Sequence, residues 1–217
     1  MRVPGGTALY LPFKGEWFVY WGGYTKKLNY HHDNLAQKYA FDFVIIDKEG
    51  RTHHKSLRKN NSYYCFDQAI VSPAKGTVVQ VVDGVDDNPP GCLNEYWLAG
   101  NTVIIKHSKK IYSFLAHFKQ NSIVVRTGDK VKAGDLLGYC GNSGRSSEPH
   151  LHFHLQNGPN VLLAKGVKCL FQALRVNAKN EEVSSPIKGD IVCSIQAKVG
   201  IVQESSEQSS EAQMQQR

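Results

Sequence analysis

The segment SSEPHLHFHLQ, residues 146–156, decides the fold that the sequence predicts. From position 151 to position 155, apolar and polar residues alternate with the period of two that belongs to a β-strand. Such a strand turns two leucines and a phenylalanine toward a core and presents three histidines on its other face. Those histidines are His150, His152 and His154. Neighbouring imidazoles on that face start about 7 Å apart, twice the ~3.3 Å rise per residue, so one can bind a metal while the next handles a proton beside it.

Other segments of the chain have the same strand character, being short, rich in β-branched or aromatic residues and bounded by Gly, Pro, Asn or Asp. They are FVIID, GTVVQVV, NTVIIKH, IYSFLAH, SIVV and DIVCSIQ. The sequence therefore predicts an all-β, β-dominated fold: an antiparallel sheet with a groove, a small β-sandwich-like unit from residues 71–84 and 122–141, and few short helices. Residues 161–174 are the clearest helical candidate. The long connections 48–63 and 83–100 are predicted to wall the groove, because connections of that length in compact domains are usually functional.

Length and composition exclude several classes of protein. With 217 residues, 41% hydrophobic and 21% charged, and a mean hydropathy of −0.38, the chain is of the globular type rather than disordered or fibrous. We expect one domain over residues 1–202, with its core at about 17–171 and a C-terminal extension over 172–202, followed by a disordered polar tail over 203–217. No apolar run approaches the ~20 residues that span a bilayer, and we see no signal peptide, so we expect no membrane insertion.

Charge and cysteine content narrow the partners and the chemistry. The net charge is +7, and because residues 203–217 hold three glutamates and one arginine, residues 1–202 hold +9. This balance favours anionic partners such as cell-wall polymers, nucleic acid or acidic lipid. The five cysteines are an odd number, widely spaced and without a CxxC pair, which predicts neither a disulfide framework nor a zinc finger.

A carboxylate and two more histidines come from NYHHDNLAQKYAFDFVII, residues 29–46. Asp42 lies between two phenylalanines in a predicted strand, where an acid is costly to bury unless it is paired or bound to metal. His31 and His32 precede it by eleven and ten residues. Two imidazoles and one carboxylate leave a fourth position for water, which is the ligand count of a catalytic zinc site. Zinc is therefore the first choice of metal, with Fe, Co or Mn able to compete.

His117 ends the apolar strand IYSFLAH, just before a polar turn. By itself, a histidine at the end of a strand is more often a structural residue with satisfied hydrogen bonds than a functional group. Beside the other two elements it is a candidate for a histidine that binds no metal but takes and gives a proton near neutral pH. The chain contains no HExxH motif, so a glutamate base of that kind is excluded and histidines have to carry the proton.

With these elements assembled, the chain resembles the M23 metallopeptidases, the family of lysostaphin- and LytM-type peptidoglycan endopeptidases, from about residue 17 to residue 171. The segment GYCGNSGRSSEPHLHFHL, residues 138–155, is similar to the family signature G-x-x-G-x-[ST]-G-x-S-x-x-P-H-L-H-F. The segments SPAKGTVV, GNTVIIKH and LAH precede it in the family's order. The resemblance implies the duplicated-hybrid-motif type of β fold, with a groove that binds substrate.

The resemblance also implies a set of site residues. The zinc ligands would be an N-terminal histidine, Asp42 and His152, and the two non-ligand catalytic positions would be His117 and His150. One of these two histidines would accept a proton from the attacking water and deliver it to the leaving amine. The other would stabilise the oxyanion.

One ligand position departs from the family's common pattern. That pattern places the first histidine four residues before the aspartate, and the residue there is Lys38. The segment NYHHDNLAQKYAFD resembles a subgroup with longer spacing, which favours His31 as the first ligand with His32 as the alternative. His154 stands where many members have glutamate, and it is expected to orient a neighbour or to bind substrate.

By this resemblance the chain is a zinc-dependent endopeptidase that hydrolyses a cross-bridge or stem peptide of peptidoglycan. We expect it to be a monomer that binds no specific nucleic acid. The alternative is a catalytically inactive M23-like module that binds or regulates at the cell envelope, motivated by the missing four-residue spacing and by His154. The family implies a secreted or envelope location, whereas we see no signal peptide in the sequence, so the location stays open.

Overall fold

The computed structural model describes residues 7–54 and 57–195, and these residues form a strand-dominated fold. The described part contains two short 3-10 turns, Tyr30–Asp33 and Asn60–Ser62, and fourteen strands. The strands are β1 (Thr7–Leu9), β2 (Glu16–Trp21), β3 (Phe41–Val44), β4 (Ala69–Val71), β5 (Gly76–Val82), β6 (Asn101–Ser108), β7 (Ile111–Phe118), β8 (Lys130–Val131), β9 (Leu136–Tyr139), β10 (Leu151–Gln156), β11 (Gly166–Val167), β12 (Cys169–Val176), β13 (Lys179–Ser184) and β14 (Ile191–Ser194).

Most of these strands form one large sheet in the order β1-β12-β14-β2-β3-β10-β7-β6-β5-β8, with β11 paired to β10 and β13 paired to β12. The β1–β12 pair is parallel, and the other pairs described in this sheet are antiparallel. Strand β10 lies between β3 and β7, with His152 opposite Asp42 on one side and opposite Ala116 on the other. Three segments far apart in the sequence therefore meet at one point of the sheet.

The alternation in β10 sets which face is core. Leu151, Phe153 and Leu155 are fully or almost fully buried in the main hydrophobic cluster. Burial of one such side chain contributes roughly 1.5–3 kcal/mol, so a register slip by one residue would cost several of these contributions at once. Strands β4 and β9 form a separate two-stranded sheet, and its Ile70 and Leu137 are buried in the same cluster.

The structure confirms the predicted fold class and corrects one element. Residues 161–174 are not a helix, because residues 161–163 form a turn and the rest contributes β11 and most of β12. In β12 the fully buried Cys169 and Phe171 are two residues apart, which is a strand period rather than a helical one.

The C-terminal residues join the large sheet, since β14 pairs with both β12 and β2. The single domain over 1–202 and its extension over 172–202 stay predictions, and the predicted tail, 203–217, lies outside the described residues. In the described part of the chain, no helix has the length and apolar character needed to cross a membrane.

Candidate metal and catalytic site

The carboxylate of Asp42 is the centre of the site. Asp42 lies in β3, whose four residues are all buried, and its own exposure is 4%. One carboxylate oxygen, Oδ1, lies 2.8 Å from Nδ1 of His152, and the other, Oδ2, lies 2.8 Å from Nε2 of His31. A buried carboxylate needs compensation of this kind, because desolvation of an isolated charge is costly.

His31 reaches Asp42 because Asn29 holds the chain in place. Asn29 is fully buried and caps the 3-10 turn Tyr30–Asp33, its Oδ1 accepting a hydrogen bond from the His31 backbone N–H at 3.0 Å. Its Nδ2 donates to the carbonyl oxygens of Lys38 and Ala40 at 3.2 and 3.1 Å. Asn29 thus ties the turn that carries His31 to the residue that precedes β3. The sequence feature that could have identified Asn29 is the preference of asparagine for the N-cap position of a helical turn.

The structure brings His31 to the site and leaves the neighbouring histidine outside it. His32 contacts the exposed Asp33, with 3.4 Å between His32 Nδ1 and Asp33 Oδ1. Lys38, at the family's common ligand position, has its ammonium 6.0 Å from the centroid of the Tyr39 ring. Among the described residues, the one group of three that could hold a metal ion is His31, Asp42 and His152.

These three residues fit a metal ion by their chemistry and their spacing. Their ligand atoms all lie within 4.8 Å of one another, and all three residues are buried. Two imidazole nitrogens and one carboxylate oxygen match a catalytic zinc site, which keeps a further position for water. The ligand roles themselves remain predictions.

His117 lies beside this group because a β-bulge turns it there. The β6–β7 register shifts between Asn101 and Thr102, which leaves His117 as the extra residue of β7. Its φ is +65°, a left-handed conformation that is strained for a side chain with a Cβ and often marks a functional position. Sequence reasoning placed His117 at a strand end, and it did not foresee the bulge.

The fourth histidine of the site is His150, which immediately precedes β10. Its ring centroid lies 4.7 Å from that of His117. Its Nε2 is 3.8 Å from Oδ1 of Asp42, while its Nδ1 is 2.9 Å from the carbonyl oxygen of Glu148. The two histidines predicted to move protons are therefore neighbours, and both adjoin the candidate metal ligands.

His154 lies behind the site rather than in it. It is fully buried, and its ring stacks on Phe114 with centroids 4.8 Å apart. Its Nδ1 is 3.0 Å from Nε2 of His152, and its Nε2 is 2.8 Å from Oε1 of Gln156. Gln156 is a further residue that sequence reasoning missed, because a glutamine at a strand end is usually solvated.

Burial and charge set the protonation of the site. Burial would raise the pKa of Asp42, but the charge of His31 and the hydrogen bonds with His152 and His31 outweigh it and hold that pKa well below its usual value. Burial lowers the pKa of His117 well below 6.5, and the charges of His150 and His152 lower it further. The pKa of His154 is lowered well below 6.5 in the same way, by burial and then by His152. These shifts favour an ionised carboxylate at Asp42 and neutral rings at His117 and His154.

Two depressions adjoin the site and share Tyr30 and Arg145 in their walls. One is lined by His31, His117 and His152, and the other by Asp42 and His150. The loop 83–100 contributes Leu93, Leu98 and Ala99 to these walls, as predicted.

The loop 48–63 was predicted to be the other wall, and that prediction is wrong. None of its described residues lines either depression. Thr52 instead donates a hydrogen bond to Glu148 at 3.2 Å. The opposite wall comes from the 3-10 turn of His31, the residues after it and the turn near Val161. The length of a loop does not show on which side of a site the loop lies, so sequence length alone could not exclude residues 48–63 as a wall.

Comparisons with known proteins match part of the chain to a peptidase family. The model of peptidase family M23 matches residues 63–163. An uncharacterized metalloprotease of Buchnera aphidicola is 31% identical over 122 residues, which are 56% of this chain and 30% of that protein. The peptidoglycan DD-endopeptidase ShyA of Vibrio cholerae is 40% identical over 57 residues, 26% of this chain and 13% of that protein. The chain thus spans less than a third of the length of these relatives.

Among solved structures, the catalytic domain of lysostaphin from Staphylococcus simulans is similar with a TM-score of 0.38 and 20% identity, over 70% of this chain and 88% of that one. The buried His-Asp-His group has the ligand types of a catalytic zinc site, and the histidine pair lies beside it. Residues 63–163 match the model of peptidase family M23, which confirms the predicted resemblance. The matched range contains His117, His150 and His152 but begins after His31 and Asp42, so the choice of those two residues depends on the geometry described above.

Proposed function

We propose that the chain is a zinc-dependent endopeptidase that hydrolyses peptide bonds of peptidoglycan, in a cross-bridge or a stem peptide. The observation that carries this proposal is the buried group of His31, Asp42 and His152 with His117 and His150 beside it. The match to peptidase family M23 and the similarity to a peptidoglycan DD-endopeptidase support it.

Zinc would be held by Nε2 of His31, a carboxylate oxygen of Asp42 and Nδ1 of His152, the atoms that face one another. When bound, it would supply Lewis-acid polarisation of the scissile carbonyl and activation of water near neutral pH. A low pKa of Asp42 keeps this carboxylate ionised and able to bind a cation.

The hydrogen bonds of His117 and His150 determine which of their atoms handle the proton. Nδ1 of His117 is 2.7 Å from the carbonyl oxygen of Ser143, and Nδ1 of His150 is 2.9 Å from that of Glu148. A carbonyl oxygen can only accept, so each Nδ1 is the donor. In the neutral form of each ring, Nε2 then carries the lone pair. Both histidines can therefore take a proton at Nε2 without changing tautomer.

Hydrolysis follows from these roles. One of the two imidazoles accepts a proton from the water that attacks the peptide carbonyl, and as an imidazolium it later delivers that proton to the leaving amine. The other, as an imidazolium protonated at Nε2, donates a hydrogen bond to the developing oxyanion. The carbonyl of Ser143 also stabilises the imidazolium of His117, because a charge-assisted hydrogen bond is stronger than a neutral one.

The surroundings of the site suit a peptide attached to an anionic polymer. Exposed aromatic side chains, Tyr20 and Tyr30, line the depression that contains His150. The net charge of +7 favours approach to anionic cell walls.

Zinc content of purified variants tests the assignment. We expect about one zinc ion per chain in the wild type and in His32→Ala, and none in His31→Ala. Of these two neighbouring histidines, His31 faces Asp42 and His32 does not. His117→Ala should retain zinc but lose hydrolysis of peptidoglycan, since its side chain handles the proton. A wild-type chain without stoichiometric zinc would contradict the metal site. Full hydrolysis by His117→Ala would contradict the mechanism, and zinc binding without any hydrolysis by the wild type would support the non-catalytic module instead.

A further inference from the structure

A line of hydrogen bonds runs from His152 away from the candidate metal position. His152 Nε2 lies 3.0 Å from Nδ1 of His154, and His154 Nε2 lies 2.8 Å from Oε1 of Gln156. The amide Nε2 of Gln156 donates to the carbonyl oxygen of Gly158 at 2.7 Å. The side chains of His152, His154 and Gln156 all belong to β10 and are buried, so water does not compete for these hydrogen bonds.

The Gly158 carbonyl fixes the direction of the whole line. A carbonyl oxygen only accepts, so the amide nitrogen of Gln156 has to face Gly158 and its oxygen has to face His154. His154 Nε2 is then the donor, and Nδ1 of a neutral His154 is the acceptor. His152 Nε2 therefore carries the proton. Nδ1, which lies 2.8 Å from Oδ1 of Asp42, is then the nitrogen that a metal would take, in place of the proton that it shares with that carboxylate.

The surroundings of His154 keep it neutral. It is fully buried and stacked on Phe114 with an interplanar angle of 20°. Within residues 7–54 and 57–195, no carboxylate forms an ion pair or a hydrogen bond with it. A cation at that position would be buried without a partner, which is costly.

We propose that His154 and Gln156 are positioning residues that hold His152 in the tautomer with Nδ1 free for the metal, through a relay that ends at the Gly158 carbonyl. This inference rests on the proposed metal site and extends it to two residues that contact no substrate. The other ring nitrogen of a metal-ligating histidine is commonly anchored by a carboxylate or a backbone carbonyl. Here a second imidazole and an amide carry that anchor through the strand to the backbone.

The zinc dissociation constant of matched variants, measured by chelator competition, tests the relay. His154→Phe retains the ring stacked on Phe114 but cannot accept from His152, and we expect zinc affinity to fall by about 10- to 100-fold. His154→Gln has an oxygen to accept and an amide to donate, so it should bind zinc more tightly than His154→Phe. A role in packing alone predicts the reverse order, because Phe retains more of the ring volume.

A control separates the relay from the general loss of a half-buried, hydrogen-bonded histidine. His107 lies in β6 and is hydrogen-bonded to the Lys75 carbonyl and the Ser113 hydroxyl, outside the site. His107→Phe should leave zinc affinity within about twofold of the wild type. Melting temperatures would show that each variant is folded.

Nitrogen-15 NMR of the zinc-loaded wild type gives an independent readout that needs no variant. We expect a protonated Nε2 and a zinc-bound Nδ1 at His152. An unchanged zinc affinity in His154→Phe, or a protonated Nδ1 at His152, would overturn the relay while leaving the proposed peptidase intact. Absence of zinc from the wild type would overturn both, and zinc binding with the expected tautomer but no hydrolysis would overturn the peptidase alone.

Discussion

At the scale of single residues, the site depends on a buried amide as much as on its histidines. Asn29 accepts from the His31 backbone and donates to Lys38 and Ala40, so it fixes the distance between a candidate ligand on a turn and a candidate ligand on a strand. His31 and His32 are adjacent in sequence, and the turn directs one inward and the other outward. The hydrogen bonds of Asn29 determine which one reaches Asp42.

Asn29→Asp tests this role. Aspartate retains the oxygen that accepts from the His31 backbone but loses the donors to the Lys38 and Ala40 carbonyls, which places a charge against two carbonyl oxygens. We expect zinc affinity to fall at least tenfold and the melting temperature to drop, since a buried unpaired acceptor costs about 1–3 kcal/mol. Chelator competition and calorimetry measure the two effects.

Asn34→Asp is the matched control for that substitution. The Asn34 side chain is exposed and accepts from the backbone N–H groups of Ala36 and Gln37, and aspartate can accept in the same way. Equal zinc affinities in Asn29→Asp and Asn34→Asp would contradict the positioning role of Asn29.

The sequence predicts part of this site directly. The alternation of β10 places His152 and His154 on one face, because a strand has a fixed period of two. An aspartate between phenylalanines indicates a compensated charge. The family resemblance favoured His31 over His32, but no pattern in the turn itself could decide, since a 3-10 turn of four residues has no period from which the direction of a side chain can be read. The bulge at His117 left no sequence signal either.

At the scale of elements, the loop between β9 and β10 is held against the loop 83–100 by two glycines in contact. Gly144 has a φ of +82° and Gly100 a φ of +61°. A Cβ on Gly144 would meet the backbone nitrogen of Gly100, and it would lie 2.8 Å from the carbonyl carbon of Ala99. The Ser143 carbonyl that accepts from His117 adjoins Gly144 in this loop, so this packing positions the residue that we propose to handle the proton.

Gly144→Ala and Gly134→Ala separate close packing from backbone strain. Gly134 has a similar φ of +88° but open space around its Cβ position. We expect Gly134→Ala to lower the free energy of unfolding by about 1–2 kcal/mol, the cost of a left-handed alanine. Gly144→Ala should cost more and should also reduce peptidoglycan hydrolysis, because the loop has to move. Denaturant titration and a hydrolysis assay measure these effects, and equal stabilities of the two variants would contradict the close-packing account.

Elements whose apolar residues repeat with a clear period could be predicted from the sequence, and elements without such a repeat could not. The strands β6, β7 and β10 follow from their β-branched and alternating residues. The prediction of a helix over 161–174 was wrong because a short apolar run fits the helical and the strand period equally well. Pairing with β10, β13 and β14 stabilises these residues as strands.

At the scale of the whole molecule, the buried histidines make stability depend on pH. Burial lowers the pKa of His117, His152 and His154 below 6.5 in the folded chain. Below pH 6.5 the unfolded chain therefore binds protons that the folded chain does not, and the free energy of unfolding falls as the pH falls. As the pH falls, each such histidine lowers the free energy of unfolding by up to about 1.4 kcal/mol per pH unit, until the pH reaches the pKa of that histidine in the folded chain.

Chemical denaturation of the zinc-free chain between pH 8 and pH 5 measures this effect. We expect the wild type to lose stability below pH 6.5 and His117→Gln to lose less over the same range. The effect of Asp42 lies in a separate window, because its lowered pKa gives stability that is lost only when the pH falls below 3.8. A wild type whose stability rises on acidification to pH 5, or a variant with the same slope as the wild type, would contradict the prediction.

Release of muropeptides from purified peptidoglycan is the measurement that tests the proposed peptidase most directly. The zinc-loaded chain and the same chain stripped by a chelator would be incubated with the wall, and new amino termini would be identified by mass spectrometry. We predict release by the zinc-loaded chain, none by the stripped chain, and recovery when zinc is returned. Equal release with and without zinc, or no release by a chain that holds one zinc ion on His31, Asp42 and His152, would contradict the proposed function.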